Sequence, residues 1–374
     1  CTNPPYMGGS GMNAKLSEFV KSKFPDSKSD LFACFIEKCG QLAKPHGFYA
    51  MITQHAFMFL SSYENLRKKL MQKTTVNMAH LGARAFDEIG GEVVQTTAFV
   101  MTGHIKDYKG TYARLVDTVG ENEKRDLFLS GDKRFAAKQE NFSKIPGSPV
   151  AYWVSENFIR AFENGRLLGE IASSKQGIAT ADNNRFLREW YEVNVEKILF
   201  DCSTHEESKT SPAKWYPYNK GGEFRKWYGN NDYVVNWQYD GAELRNFKKS
   251  VIRNPNFYFM PCFSWSLISS SVAAFRYKPK GHIFDVAGMS CFSNDKLHYL
   301  LALCNSSCAM KVLEVIAPTI NYQCGDIANI PVIIPDSDEV ENHVKELVKD
   351  NIDSCKTDWD YYEVSWDFEK HPLI

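Results

Sequence analysis

The sequence predicts an α/β protein: a sheet covered by helices in its first third, then a strand-rich α+β part, then a closing helix. Three observations predict this. Helix-period and strand-type apolar runs alternate from Ser29 to Met101. From Tyr152 onward aromatic residues become dense between recurring Gly/Asn turns. Near the end Val340, Val344, Leu347, Val348 and Ile352 fall on one helical stripe.

In chain order, Ser29-Asp30 reads as a helix start. Leu31, Phe32, Phe35, Ile36, Cys39 and Leu42 share the apolar face, and Lys44-Pro45-His46-Gly47 ends the helix. Phe48 to Thr53 is strand-like. Leu60 to Met71 is helical, with Arg67, Lys68 and Lys69 as a basic last turn suited to the helix dipole. Thr75 to Leu81 and Glu92 to Met101 read as further strands. The signal weakens from Tyr108 to Pro149, and Ile145-Pro146-Gly147-Ser148-Pro149 marks a boundary. Beyond it, turns at Lys220-Gly221-Gly222, Gly229-Asn230-Asn231, Asp240-Gly241 and Lys280-Gly281 separate short strands. Trp227 and Trp237 are read mainly as core. One helix is expected from Leu297 to Val315. The boundaries are therefore 1–148, 149–335 and 336–374.

Composition is that of an ordinary globular chain of 374 residues, 44% hydrophobic and 24% charged. No run approaches the roughly 18 apolar residues of a membrane span, and the first residues are no signal peptide. Ten cysteines lack C-x-x-C spacing, and Cys304 and Cys308 have no His at matching distance, so free thiols in the cytoplasm are expected and no metal. Net charge is −1, but it is uneven. Thr204 to Lys280 holds 12 Lys/Arg and 6 Asp/Glu, whereas Pro335 to Ile374 holds 4 Lys and 12 Asp/Glu.

Asn3-Pro4-Pro5-Tyr6 carries the clearest chemistry. Such a run is the active-site loop of enzymes that methylate an exocyclic or amide nitrogen. An adenine N6 amine is a poor nucleophile because its lone pair is delocalised into the ring. The Asn3 side-chain oxygen and the Pro4 carbonyl would each accept one N6 hydrogen and aim the lone pair at an electrophilic methyl group. Consecutive prolines fix φ and hold the acceptors still. Tyr6 offers a flat face to an extruded base, whose loss of stacking costs a few kcal/mol, and such stacking returns about 1–3 kcal/mol. Met7 to Gly11 reads as a flexible segment able to close over substrate.

These residues resemble the catalytic half of γ-class N6-adenine DNA methyltransferases from Cys1 to about Met101. Ser29-Asp30-Leu31-Phe32 and Phe48-Tyr49-Ala50-Met51-Ile52-Thr53 are similar to the helix start and strand that follow the loop there. Residues from Tyr152 resemble the target-recognition domains of Type I and Type IIG restriction–modification proteins. Gln176 to Leu187 looks like their G-x-x-T-G-D-N segment, departing at Ala181 where Gly is usual. Pro318-Thr319-Ile320-Asn321, Gly325-Asp326-Ile327 and Ile330-Pro331-Val332 are similar to the close of such a domain. Gly221 to Asn230 and Ser264-Trp265-Ser266 resemble most closely the adenine methyltransferases of bacteriophage-exclusion (BREX) systems.

The resemblance implies part of a Rossmann-like methyltransferase sheet over 1–148, a DNA target-recognition domain over 149–335 and a helical acidic tail over 336–374. It implies methyl transfer from S-adenosylmethionine to a flipped adenine, with Asn3, Pro4, Pro5 and Tyr6 as catalytic residues. In this family the cofactor loop precedes Asn-Pro-Pro-Tyr, so only Asn3 would contact the cofactor and the chain alone should be inactive. Double-stranded DNA is the implied partner, together with other defence-system subunits, and no membrane. Lys175, Thr180, Asn183, Asn184 and Arg185 would meet phosphate or base edges; helix capping by Asp182 or Asn183 on a solvated turn accounts for them equally. Lys220, Arg225 and Lys226 would meet phosphates. His46, His55 and His80 are expected to be structural, and the acidic helix to present a solvated face. The alternative function is a DNA-binding specificity module of a defence complex without activity of its own. Protein-glutamine and RNA methyltransferases share the tetrapeptide but lack a recognition domain of this kind.

Overall fold

The computed structural model describes residues 1–86, 94–105, 107–269 and 272–374. They form two compact units, Cys1–Glu163 and Asn164–Ile374. In the first, helices α1 (Ala14–Lys23) and α2 (Leu31–Leu42) precede strand β1 (Phe48–Gln54). Then come α3 (Glu64–Leu70), β2 (Thr74–Gly82), β3 (Thr96–Thr102), β4 (Lys109–Arg114), α4 (Glu121–Ser130), β5 (Arg134–Lys138) and α5 (Glu156–Asn164).

The sheet order is β1-β3-β2-β4-β5, with β3 antiparallel to both of its neighbours and β4 parallel to β2. Strands β1, β2 and β4 therefore run in one direction. Thr2 extends this set, pairing parallel to β1 through Thr2 N–Ala50 O at 3.0 Å and Ile52 N–Thr2 O at 3.2 Å. Alternation along each strand sends large side chains to one side. Tyr49, Met51, Met78, Phe99, Met101 and Tyr112 pack there with Phe32, Ile36 and Leu66 of α2 and α3. The opposite side carries smaller residues, Ala50, Ile52, Ala79, Ala98 and Ala113, in a groove of about 500 Å³.

Three expectations for this unit change. The buried stripe of α2 is Phe32, Ala33, Cys34 and Ile36, while Phe35 and Leu42 face solvent, because the sheet lies under a different edge of the helix. Arg67 does stand in the basic last turn of α3, and it is buried there. It is 2% exposed and donates to Phe57 O, Leu60 O and Gly147 O at 2.7–2.9 Å. The weak region from Tyr108 contains β4, α4 and β5, which are short and rich in charge. The strand read from Glu92 begins at Thr96 among the described residues, and positions 92 and 93 lie outside them.

The second unit opens with β6 (Arg166–Leu167), α6 (Leu168–Ile171), β7 (Ser173–Lys175), α7 (Asn183–Phe186) and β8 (Leu187–Glu189). It continues through α8 (His205–Thr210), β9 (Trp215–Asn219), β10 (Tyr233–Asn236), α9 (Gln238–Asn246), β11 (Cys262–Ser266), β12 (Arg276–Lys278), β13 (Ile283–Phe284) and β14 (Gly288–Phe292). It closes with α10 (Leu297–Asn305), α11 (Ser307–Ile316), α12 (Cys324–Ala328), β15 (Pro331–Val332) and α13 (Asp338–Asp360). Its sheets are β13-β9-β10-β8, β12-β11-β14-β7 and the pair β15-β6. Tyr216, Tyr218, Trp237, Tyr258, Phe259, Phe284 and Phe292 build much of its core.

Trp237 is fully buried as expected, whereas Trp227 is only half-buried. The helix expected from Leu297 to Val315 is two helices bent by 72°, because Ser306 turns out of the helix and caps Ala309 N. Helix α13 is not simply solvated. It packs on α10, and Glu341 on it pairs with Lys296 at 2.6 Å. Its buried residues include Glu341, Val348, Ile352 and Trp359, while Val340 and Leu347 are exposed. No single described helix is long and apolar enough to cross a membrane.

Candidate functional site

Asn3 to Tyr6 lie in the turn that leaves the short strand at Thr2. Thr2 is parallel to β1, so the turn sits at the carboxyl end of the parallel strands, where open α/β sheets place their ligands. Asn3 and Pro5 are exposed and Pro4 is buried. Among the described residues no hydrogen bond occupies the Asn3 carboxamide, so its oxygen is free to accept. The Tyr6 ring is half-buried and meets Phe32 edge-on, with centroids 6.1 Å apart. Its hydroxyl is enclosed without a partner, and burial raises its pKa.

The segment after Tyr6 is not loose, contrary to its glycine content. Met7 N donates to Asp30 Oδ1 at 2.9 Å, Leu31 N to Met7 O at 3.1 Å and Gly9 N to Ser29 O at 3.0 Å. Asp30 also caps α2 through Phe32 N at 3.3 Å. One carboxylate thus fixes both the helix start and the exit of the Asn-Pro-Pro-Tyr turn. The sequence signals the cap, but the pairing of Met7–Gly9 with Ser29–Leu31 carries no local pattern.

His55 and His80 also lie at the carboxyl ends of β1 and β2. They are joined to each other rather than standing alone. His55 Nδ1 and His80 Nε2 are 2.8 Å apart, and His80 Nδ1 is 3.1 Å from Tyr152 Oη. Burial lowers the pKa of His55 to about 4 and that of His80 to about 3, so both rings are neutral at physiological pH. His46 instead meets His104 edge-on, centroids 5.3 Å apart.

In the second unit Gly177 to Thr180 is stitched between other segments. Ile178 N donates to Phe284 O at 2.8 Å and Ala179 N to Val251 O at 3.0 Å. Only glycine fits at 177, since a Cβ would stand 1.6 Å from Phe284 O. Ala181, where the resemblance has glycine, takes φ +58°, so the left-handed turn forms despite the methyl group. Thr180 is buried and donates to Asn183 Oδ1 at 2.6 Å. Asp182 caps α7 at Arg185 N, 3.1 Å away. Asn183, Asn184 and Arg185 are exposed, and Lys175 Nζ stands 5.4 Å from the Phe257 ring centre.

Several of the selected cations are engaged within the fold. Arg185 donates twice to Glu243 Oε1, at 2.7 and 2.9 Å. Lys220 pairs with buried Asp285 at 3.0 Å, and Asp285 O accepts from Gly177 N at 3.3 Å, which brings Lys220 beside the Gly177 segment. Arg225 and Lys226 belong to a separate group. Arg225 covers the Trp359 ring at 4.8 Å and reaches Asp358 at 3.5 Å. Lys226 Nζ donates to Asn305 O at 2.9 Å.

Residues 1–86 match the family described as Eco57I restriction-modification methylase. The whole chain is similar to adenine-specific methyltransferase PglX of Lacticaseibacillus casei (strain Zhang), 43% identical over 392 aligned positions, covering 100% of this chain and 32% of that protein. It is likewise 44% identical to adenine-specific methyltransferase BrxX of Escherichia coli O9:H4 (strain HS), covering 100% of this chain and 30% of that one. The chain therefore spans about a third of the length of these curated relatives. Among solved structures it is similar in fold to the Type IIL restriction-modification enzyme MmeI in complex with DNA. There the TM-score is 0.61 at 12% identity, covering 98% of this chain and 50% of that one.

Proposed function

We propose that this chain, similar from end to end to adenine-specific methyltransferases, is the base-holding and DNA-reading part of a site-specific N6-adenine DNA methyltransferase in phage defence. The observation that carries this reading is the Asn3–Tyr6 turn. Its free carboxamide, fixed prolines and half-buried tyrosine stand at the carboxyl end of the parallel strands. A DNA reader without chemistry would have no use for such an arrangement.

The Asn3 oxygen and the Pro4 carbonyl would take one N6 hydrogen each from a flipped adenine. Both acceptors act on charge that develops at nitrogen during methyl transfer, and the rigid turn spares their reorganisation. Tyr6, propped edge-on by Phe32, would carry the base on its face. S-adenosylmethionine, when bound, supplies the electrophilic methyl group. Of this chain's residues Asn3 would lie nearest to it, and the exposed, unbonded carboxamide fits that place. The Asp30 clamp on Met7 keeps the turn in register with α2. Residues 149–335 would read the target site, with Lys175, Asn183, Asn184, Arg185 and Lys220 as the residues that would meet DNA. Other defence-system subunits and a cytoplasmic setting complete the proposal.

The test uses the full-length protein and genomic DNA from a strain lacking the modification. Labelled methyl incorporation should fall at least a hundredfold in Asn3→Ala, on the scale of losing one transition-state acceptor, and about tenfold or more in Tyr6→Ala, on the scale of lost base stacking. Tyr6→Trp, which keeps a stacking face, should retain part of it. Wild-type incorporation in Asn3→Ala would refute the role given to the carboxamide.

A further inference from the structure

Two stretches singled out in the sequence, Gly221 to Asn230 and Ser264 to Ser266, meet beside one buried cation that the function above does not use. Arg276 on β12 is 1% exposed. Its Nη2 donates to Ser266 Oγ at 3.1 Å, and Ser266 Oγ donates onward to Gly222 O at 2.7 Å. Its Nε has no partner. Among the described residues no carboxylate pairs with the guanidinium, and Asp232 acts on it only through space. A buried charge is costly unless its donors are satisfied; carbonyls satisfy the guanidinium of Arg67, whereas Arg276 keeps one donor without a partner.

Arg276 lines a cavity of about 100 Å³ with Gly222, Phe224, Ser266, Ile268 and Ala274. A water occupies about 30 Å³ of liquid and small-molecule pockets run to about 300 Å³ and above. The space therefore suits an oxyanion rather than a base or a cofactor. Gly222 holds φ +131°, and a Cβ there would stand 2.8 Å from Asn230 Nδ2, so no side chain from 222 covers the mouth. Phe224 and Ile268 at the rim are 51% and 60% exposed. Glu223 also stands there, exposed to solvent.

We propose that Arg276, with Ser266 beside it, is a built-in anion site that takes a phosphodiester of the nucleic-acid backbone, with Phe224 and Ile268 against the flanking sugars. The buried charge without a paired carboxylate and the oxyanion-sized cavity that Arg276 lines carry the anion. The identity of that anion rests on the DNA-binding reading above. Glu223 opposes entry and moderates the affinity.

The experiment uses the full-length protein with two probes. The first is inorganic phosphate at constant ionic strength, read as thermal stabilisation over chloride. Wild type should be stabilised more than Arg276→Gln and than Ile268→Glu, which places a carboxylate at the exposed rim without disturbing the core. The second is a pool of random-sequence duplexes titrated across a salt series. Arg276→Gln and Ile268→Glu should each weaken binding about tenfold, uniformly across sequences, and lower the salt slope by about 1. Glu223→Gln should tighten it about twofold.

Equal phosphate stabilisation in wild type and both weakening variants would overturn the site. Should Arg276→Gln fail to fold, Ile268→Glu and Glu223→Gln decide alone through their opposite signs. Phosphate protection that depends on Arg276, in a protein that binds no duplex, would uphold the anion site, overturn nucleic acid as its ligand and count against the DNA reading itself. Duplex binding indifferent to all three variants would spare the DNA reading and remove this site from it.

Discussion

Arg67→Met isolates what a buried guanidinium does for the first unit. Methionine keeps much of the apolar stem and removes the donors. Four N–H···O contacts end on three carbonyls, those of Phe57, Leu60 and Gly147. A buried acceptor left unsatisfied costs about 1–3 kcal/mol, so three cost about 6 kcal/mol at mid-range. Against this, the variant no longer buries a charge. Burial lowers the Arg67 pKa from 12.5 to about 10, which corresponds to about 3 kcal/mol regained. The net loss is about 3 kcal/mol. In urea titration this should appear as a lower midpoint with unchanged slope. Hydrogen exchange should localise it to residues 57–60 and 145–148. A variant as stable as wild type would refute the claim that these carbonyls depend on the guanidinium.

Two further outcomes follow from named contacts. Asp30→Ala should cost about 1–2 kcal/mol, the scale of a lost N-cap, and speed amide exchange at Met7 and Phe32, whereas Asp30→Asn should keep much of both; unchanged exchange at Met7 would exclude the clamp. The His55–His80 pair makes the first unit sensitive to acid. Both folded pKa values lie below the unfolded value near 6.5, so as pH falls the unfolded state binds protons first. The stability is complete above about pH 6.5 and is lost as pH falls through the window down to about 4 for His55 and 3 for His80, about 2 kcal/mol per ring at pH 5. His80→Gln should flatten urea midpoints between pH 6.5 and 4, and an equally steep profile in the variant would exclude the pair as the cause.

Strands β1, β2 and β3 were legible because one side of the sheet is packed with large residues, so their apolar alternation survives in the sequence. Strands β4 and β5 and helix α4 were not, because lysines, arginines and acids occupy their exposed faces. In α4 the buried position is Lys124, whose ammonium is held by the carbonyls of Leu81, Leu115 and Thr118 at 2.7–2.9 Å. Hydropathy cannot register a burial of that kind, and Arg67 escaped for the same reason. The apolar register from Leu297 to Val315 hid the break at Ser306, although Asn305-Ser306-Ser307 is a capping signal. The Asn-Pro-Pro-Tyr turn stood out in the sequence because its four residues are contiguous. The Asp30 clamp, the His55–His80–Tyr152 chain and the surroundings of Arg276 were not, because each joins residues that only the fold brings together.

The pairing of Met7–Gly9 with Ser29–Leu31 makes residues 10–28 a closed excursion, entered and left at nearly the same point. Changes of length inside it need not be transmitted to the tetrapeptide. The exposed turn around Pro25, between α1 and the clamp, is therefore a place where a tag, a fluorophore or a grafted domain can be spliced in while the ends of the excursion stay pinned.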